Sequence, residues 1–300
     1  MGSVDGHRVV PLLDESALLG LGTLVDARGL IPADARGPLI AALVGYVAAA
    51  RGLGAERIAF VGTEPLRRAA DARAVVVAVE DATGVPLHVV DHREEGLLTL
   101  LGATSGRAVQ ADLLVVDIGG GSTQLVVVGP ARRASATGLR VGGARLTEAH
   151  VTHDPPTRSE IAALRAAASA ALRAAPDALP GAAPTEIVAV GGTASNLVKI
   201  VPGALHDRVL TPERLAAAFE VLAEATAADV AVRFAIRPQR ARILAAGAAL
   251  LEAILARYGV PRATASEEGI REGTVLALSR AGAAWRDRLE ALAHGWGAEP

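Results

Sequence analysis

The run Val115-Val116-Asp117-Ile118-Gly119-Gly120-Gly121-Ser122-Thr123-Gln124-Leu125-Val126-Val127-Val128 gathers the groups that phosphate chemistry uses. An apolar strand ends on a carboxylate, passes three glycines and two hydroxyls, and re-enters an apolar strand. Consecutive glycines reach left-handed dihedrals without a Cβ clash, so successive N–H groups are expected to converge on one point as an anion-binding nest. Ser122 and Thr123 add hydroxyl donors, and Asp117 at the strand end is placed to hold a cation or a water beside the anion. The alternative is a plain glycine hairpin turn, which needs neither the carboxylate nor apolar flanks on this scale.

A second turn strengthens the phosphate reading. Glu186-Ile187-Val188-Ala189-Val190 reads as a short buried strand that runs into Gly191-Gly192-Thr193-Ala194-Ser195-Asn196 and then an apolar helical stretch. A helix start exposes N–H groups and adds the positive end of its dipole. Two such turns point to a polyphosphate or nucleotide cleft. They are expected to face each other across an interdomain gap and to grip consecutive links of an anionic chain.

Composition sets the frame. A chain of 300 residues, 51% hydrophobic and 21% charged, buries a large core and suits two domains better than one. A net charge of −2 gives no general attraction to nucleic acid or an anionic membrane, and aromatics at 2% supply no base-stacking platform. No cysteine is present, which excludes disulfides, thiolate zinc sites and a cysteine nucleophile. The apolar run Ile243 to Leu255 is too short to span a bilayer and carries Glu252, so it reads as a core helix. Met1 to Arg8 lead into no signal-peptide core, and a cytoplasmic location is expected. Lys199 is the only lysine, so phosphate contacts must come from arginine forks and backbone amides.

The elements that must position these groups follow from periodicity. Residues 36 to 52 read as a helix, Arg57 to Val61 as a strand, Thr63 to about residue 82 as a helix, and Leu87 to Val90 as a strand. Strands alternating with helices indicate an α/β domain with a parallel or mixed sheet. Thr157-Arg158-Ser159-Glu160 is a capping box, residues 175 to 185 form a Pro/Ala/Gly-rich linker, Thr211-Pro212-Glu213 opens another helix, and a short strand is expected near 262 to 266. The domains are expected at 1–108 and 109–300. His150 and His153 lie three apart, with no third ligand in view, and read as a surface pair.

Five motifs in order carry a resemblance: Val61-Gly62-Thr63 with Leu66-Arg67, Glu94-Glu95, Asp117-Ile118-Gly119-Gly120-Gly121-Ser122-Thr123, Gly191-Gly192-Thr193, and Glu268-Gly269-Ile270-Arg271-Glu272-Gly273. Over about residues 8 to 280 the chain resembles the exopolyphosphatase and guanosine pentaphosphate phosphohydrolase family. The resemblance implies an actin-like fold of two ribonuclease-H-like domains with phosphates bound between them. It implies hydrolysis of a terminal phosphoanhydride of inorganic polyphosphate or guanosine pentaphosphate, with Mg²⁺ or Mn²⁺, and a tendency to homodimers. Carried over by motif, Glu95 is the general base with Glu94 beside it, Arg67 holds a phosphate oxygen, and Asp117 binds metal or water. Gly119 to Thr123 and Gly191 to Thr193 cradle phosphates, and Arg271 supports the hinge or cleft. Each carries a structural alternative: Glu94 and Glu95 complement a helix dipole, one of Arg67 and Arg68 is merely solvated, and Arg271 pairs with Glu267 or Glu268.

Three departures from the family pattern shape the expectation. Val4-Asp5-Gly6-His7-Arg8-Val9-Val10 matches what normally follows the family's first strand and first phosphate loop, so the N-terminal sheet is expected to be short of a central strand, with an exposed apolar edge and lower stability. Gln124 stands where the family usually has Glu, and Asp91-His92 replaces the usual Ser-Gly. These motivate a rival reading, a phosphate-chain or alarmone-binding protein without turnover. A kinase or ATPase of the same superfold would need an adenosine pocket, of which the sequence gives no distinct sign.

Overall fold

The structure, a computed structural model, describes residues 1–17, 19–130, 132–175 and 183–294. In the N-terminal half, β1 (Gly2–Asp5) and β2 (Arg8–Pro11) form a hairpin turned at Gly6, whose φ of +57° suits a residue without Cβ. Helices α1 (Leu21–Arg28) and α2 (Ala33–Gly52) precede β3 (Phe60–Gly62), α3 (Glu64–Arg68), α4 (Ala72–Thr83) and β4 (Leu87–Val89), and β3 pairs with β4 in parallel. The expected single helix from Thr63 is two, because the Asp71 carboxylate is committed to the Ile31 N–H (3.0 Å) and the Arg36 guanidinium, which pins the chain between α3 and α4. Val25, Ile31, Leu39, Val75, Val79 and Leu87 form this lobe's own core. Its strands make two separate two-stranded sheets.

Helix α5 (His92–Thr104) leads into the second half, where β5 (Leu113–Ile118), β6 (Thr123–Gly129) and β7 (Arg132–Leu139) form an antiparallel meander. Next come α6 (Gly143–His150), α7 (Arg158–Ala174), β8 (Glu186–Val190), α8 (Gly191–Ile200), α9 (Ala204–Asp207), β9 (Val209–Leu210), α10 (Pro212–Glu224) and α11 (Ala227–Phe234). Helices α12 (Pro238–Arg242) and α13 (Leu244–Tyr258), strand β10 (Ala263–Ala265), and helices α14 (Ile270–Ala281) and α15 (Trp285–His294) complete it. One mixed sheet results, in the order β7-β6-β5-β8-β10-β9. The capping boxes at Thr157 and the cap at Thr211 form as their residue types demand. The expected linker falls mostly on residues 176–182, outside the described residues. Among the described residues no helix is long and apolar enough to cross a membrane.

Strand alternation divides the sheet's side chains between two cores. Leu114, Val116, Leu125, Val127, Ile187 and Ala189 pack toward α7 and α13, while Leu113, Val115, Val126 and Val128 pack toward α5, α14 and α15. Residue 108, where the divide is expected, falls in the α5–β5 loop, and α5 packs into the core of the C-terminal sheet. Helices α5 and α14 cross at backbone contact: a Cβ on Gly102 would overlap the Gly269 carbonyl oxygen, and one on Gly273 would overlap that of Leu98. This crossing fixes the angle between the lobes. Gly273→Ala should therefore cost about 3 kcal/mol, the upper range for overpacking a close contact, because backbone must move. A urea midpoint equal to that of the unsubstituted protein would show the crossing to be looser than this.

Candidate active site

The parallel pairing of β5 and β8 sets Asp117 opposite Val190, so both glycine turns leave the same sheet edge side by side. The Thr193 hydroxyl donates to the Ile118 carbonyl at 2.7 Å and ties one turn to the other. Gly191 has a φ of +79°, and a Cβ there would fall 2.5 Å from Asp117 Oδ1. The expectation that the turns oppose each other across the gap is therefore corrected: both belong to the C-terminal lobe, because neighbouring parallel strands end at one edge. Across from them stand Glu64 and Arg68 of α3, with Arg67 and Glu95 in contact beside them.

The first turn is an amide cradle built differently from the sequence expectation. None of Gly119, Gly120 and Gly121 adopts a left-handed φ. Their small size serves close approach instead: the Gly119 and Gly120 carbonyls accept from the N–H groups of Gly143 (2.8 Å) and Ala144 (2.9 Å) at the start of α6, and a Cβ on Gly142 would fall 2.5 Å from the Gly120 oxygen. With the carbonyls drawn toward α6, the N–H groups of Gly120, Gly121 and Ser122 find no acceptor among the described residues. Those are the donors an anion needs. Thr123 is not among them, because its hydroxyl is buried and donates to the Val141 carbonyl at 2.7 Å.

The second turn opens α8, whose first N–H groups and dipole face the same space. Over it lies Arg240 of α12, with its guanidinium carbon 3.4 Å from where a Gly192 Cβ would be. This guanidinium makes no hydrogen bond or close ion pair among the described residues, although Asp117 feels its charge. A cation placed on a positive helix end calls for an anion between them.

Carboxylates converge from two elements. Asp91 caps α5 by accepting from the Glu94 N–H (2.7 Å), and the Glu94 side chain returns to the Asp91 N–H (2.9 Å). This fixes the first turn of α5, and Glu95, a residue further on, points into the cleft, 8% exposed. Arg67 Nη1 stands 2.7 Å from Glu95 Oε2 but aims its N–H at the Val90 carbonyl (2.8 Å), so Oε2 is held by charge and receives no hydrogen bond. Burial, reinforced by the Glu95 charge and opposed by Arg240, pushes the Asp117 carboxyl up to about 7. Gln124 sits directly across the ladder from Asp117, and its Oε1 is buried without a donor.

Two sequence-derived roles fail on geometry. Glu94 turns away from the cleft: adjacent helical positions diverge by about 100°, and its two oxygens bind Arg286 of α15 at 2.7 Å each. Arg271 is exposed and pairs with Asp14 at 2.6 Å, not with Glu267 or Glu268. Arg68 is not a solvated bystander, because it pairs with Glu64 (2.5 Å) and Asp26, and Arg145 joins the same two carboxylates while donating to the Gly121 carbonyl at 2.7 Å. That network latches the lobes. Arg145 carried a readable signal, the Gly142-Gly143 pair just before it; Arg240 carried none. His153 pairs with Glu160 at 3.0 Å, in keeping with a surface role.

Neighbouring amide turns, an arginine over one of them with no close partner among the described residues, and the buried Glu95 near the partly buried Asp117 together define a two-lobed α/β protein whose cleft suits a phosphate chain. Residues 2–280 match the model of the Ppx/GppA phosphatase family, and the chain belongs to that family. It is 28% identical over 289 residues to exopolyphosphatase 1 of Mycobacterium tuberculosis, covering 91% of this chain and 83% of that protein. It is 26% identical over 224 residues to the guanosine-5'-triphosphate,3'-diphosphate pyrophosphatase of Vibrio cholerae, covering 74% of this chain and 44% of that one. The solved Ppx/GppA family member of Aquifex aeolicus superposes with a TM-score of 0.75 at 26% identity, covering 91% of this chain and 90% of that one.

The Asp117 environment has a consequence for stability. The folded protein keeps this proton to about pH 7, whereas the unfolded chain releases it near 3.8. The native state thus binds more protons between those values, and stability falls as pH rises through that window. Asp117→Asn should melt at a higher temperature than the parent at pH 8 and nearly with it at pH 4. Equal melting temperatures at pH 8 would remove the buried charge from the account.

Proposed function

We propose that this protein releases terminal phosphate from inorganic polyphosphate or guanosine pentaphosphate by direct attack of water. The observation that carries the reading is the buried Glu95 Oε2, without a hydrogen-bond donor and beside two turns that offer free N–H groups. A carboxylate in that state accepts a water proton as the water attacks phosphorus, and Arg67, 2.7 Å away, orients it. Phosphoryl transfer to water is mainly positioning and charge neutralisation, so amides, an arginine and one base suffice. The names of the mycobacterial and Vibrio relatives supply the substrate class.

In this reading the Gly120, Gly121 and Ser122 amides hold one phosphate group, and the start of α8 with Arg240 holds the next. Asp117, coupled to Glu95, and the Gln124 amide oxygen fit a hard divalent cation such as Mg²⁺ or Mn²⁺, which takes oxygen ligands and often only one or two carboxylates beside substrate phosphates. When bound, such an ion would spread the negative charge of the phosphoryl oxygens. The finer fold reading, an actin-like pair of lobes, is supported by an N-terminal lobe with its own core beside the six-stranded C-terminal sheet.

Incubation with polyphosphate, guanosine pentaphosphate or ATP, each with Mg²⁺, and assay of released phosphate tests the proposal. Release from either of the first two supports it; binding without release would select the non-catalytic reading. Glu95→Gln should slow release by about a hundredfold or more with binding nearly intact, and an undiminished rate would retire Glu95 as the base. Arg240→Ala should weaken polyphosphate binding by about tenfold or more, as loss of a charge-assisted hydrogen bond does. Unchanged affinity would take Arg240 out of the site.

A further inference from the structure

Helix α5 lies close on the β6–β7 hairpin, and two glycines permit the approach. A Cβ on Gly96 would fall 2.7 Å from Ala136 Cβ and 2.8 Å from a Val126 methyl, and one on Gly138 would fall 2.3 Å from His92 Nδ1. His92 and Gly96 are four apart on one face of α5, and Gly138 and Ala136 are two apart on one face of β7, so the two close contacts follow one another along the pair. Gly138 also ends a rung of the sheet. It stands opposite Gln124 of β6, which in turn stands opposite Asp117 of β5. The hollow left by the missing Cβ is shared by two polar groups, because Gln124 Oε1 lies 2.6 Å from the same Cβ position that His92 Nδ1 approaches to 2.3 Å.

The partner of Nδ1 decides where the imidazole proton sits. Arg67 Nη2 stands 3.1 Å from Nδ1. A guanidinium has only donors, so Nδ1 accepts, and the proton of the neutral ring is on Nε2. An accepting Nδ1 has no proton to give Gln124 Oε1, which accounts for that buried oxygen having no donor. The other end of Arg67 bears on the base: Nη1 donates to the Val90 carbonyl at 2.8 Å and stands 2.7 Å from Glu95 Oε2. Val90 precedes α5 and His92 is its first residue, so the helix start that carries Glu95 also holds the guanidinium at both terminal nitrogens. A planar group held at two points cannot pivot.

We propose that His92 is a positioning residue for the water-activating carboxylate: its Nδ1 locks the Arg67 guanidinium against Glu95, and Gly138 is the hollow that admits the ring. This role rests on the reading of Glu95 as the base. His92 transfers no proton in it. Without the Nδ1 acceptor, the guanidinium is held at Nη1 alone and turns about that nitrogen, and Glu95 loses the fixed partner that sets its orientation. Displacement of a reacting group by about 1 Å costs about a hundredfold in rate, so the lock acts on the chemical step more than on substrate binding.

Nitrogen NMR of the full chain at pH 8 tests the lock without turnover. The His92 imidazole should appear as a single tautomer protonated on Nε2, and in Arg67→Ala as an exchange-averaged pair. A proton on Nδ1, or a spectrum that Arg67→Ala leaves unchanged, would overturn the proposal. With polyphosphate and Mg²⁺, His92→Leu should lower kcat about tenfold or more with KM nearly constant, and His92→Asn, whose Oδ1 replaces Nδ1 as the acceptor, should restore most of the rate. Gly138→Ala, which expels the ring, should slow the parent about as much as His92→Leu and add little to it in the double variant. Equal kcat for the parent and His92→Leu, or for His92→Leu and His92→Asn, would overturn the role of His92 while leaving the phosphatase reading intact. A parent that releases no phosphate would instead sink that reading, and this role with it.

Discussion

The side-by-side termination of β5 and β8 is the constraint on which the cleft depends. Parallel strands in register bring their carboxyl ends to one edge, so whatever follows each strand is delivered to the same place. The Thr193–Ile118 hydrogen bond and the absence of a Cβ at Gly191 then let the two turns touch. A longer residue at Gly191 would displace Asp117, which is why turn and carboxylate form a single unit. The gap between the lobes is still the site, but one lobe supplies the amides while the other helps to close it.

Closure is electrostatic and crosses the lobes. Arg68 and Arg145 share Glu64 and Asp26, and Arg145 reaches the carbonyl of Gly121, so the same side chain that latches the lobes also holds the first turn in shape. Inside that latch the balance is deliberately uneven. Asp117 is partly buried near another carboxylate, and among the described residues Glu95 Oε2 receives no hydrogen bond and Arg240 has no close acidic partner, each an arrangement that costs stability unless a ligand completes it. Such imbalance concentrated at one edge of a sheet is the mark of a binding site.

The lobes are related by more than contact. Each is covered by the helix that follows the last parallel strand of the other, and the Gly102–Gly273 crossing brings those two helices to backbone distance. Any change at that crossing alters the spacing between Glu95, carried by α5, and the turns it faces. The C-terminal sheet is continuous over six strands, whereas the N-terminal lobe divides its strands between two sheets with a cavity separating them. Rigidity and openness are thus distributed unequally across the cleft.

Local chemistry made several parts legible in advance. The two strand–glycine turns, the capping box at Thr157, and the core helix now seen as Leu244–Tyr258 follow from periodicity and side-chain hydrogen bonding within a few residues. The motif set Glu94 beside the base Glu95 in the site, and what turns it away is a rotation about the helix axis and a partner, Arg286, that lies far along the chain. The sequence pictured the glycines of the first turn as left-handed, whereas close approach by α6 is what requires them. Arg240, the Arg145 latch and the neighbouring placement of the turns were decided only in three dimensions. Periodicity and capping act within a turn or two of chain, while strand register, charge pairing and helix crossing join residues that only the folded chain brings together.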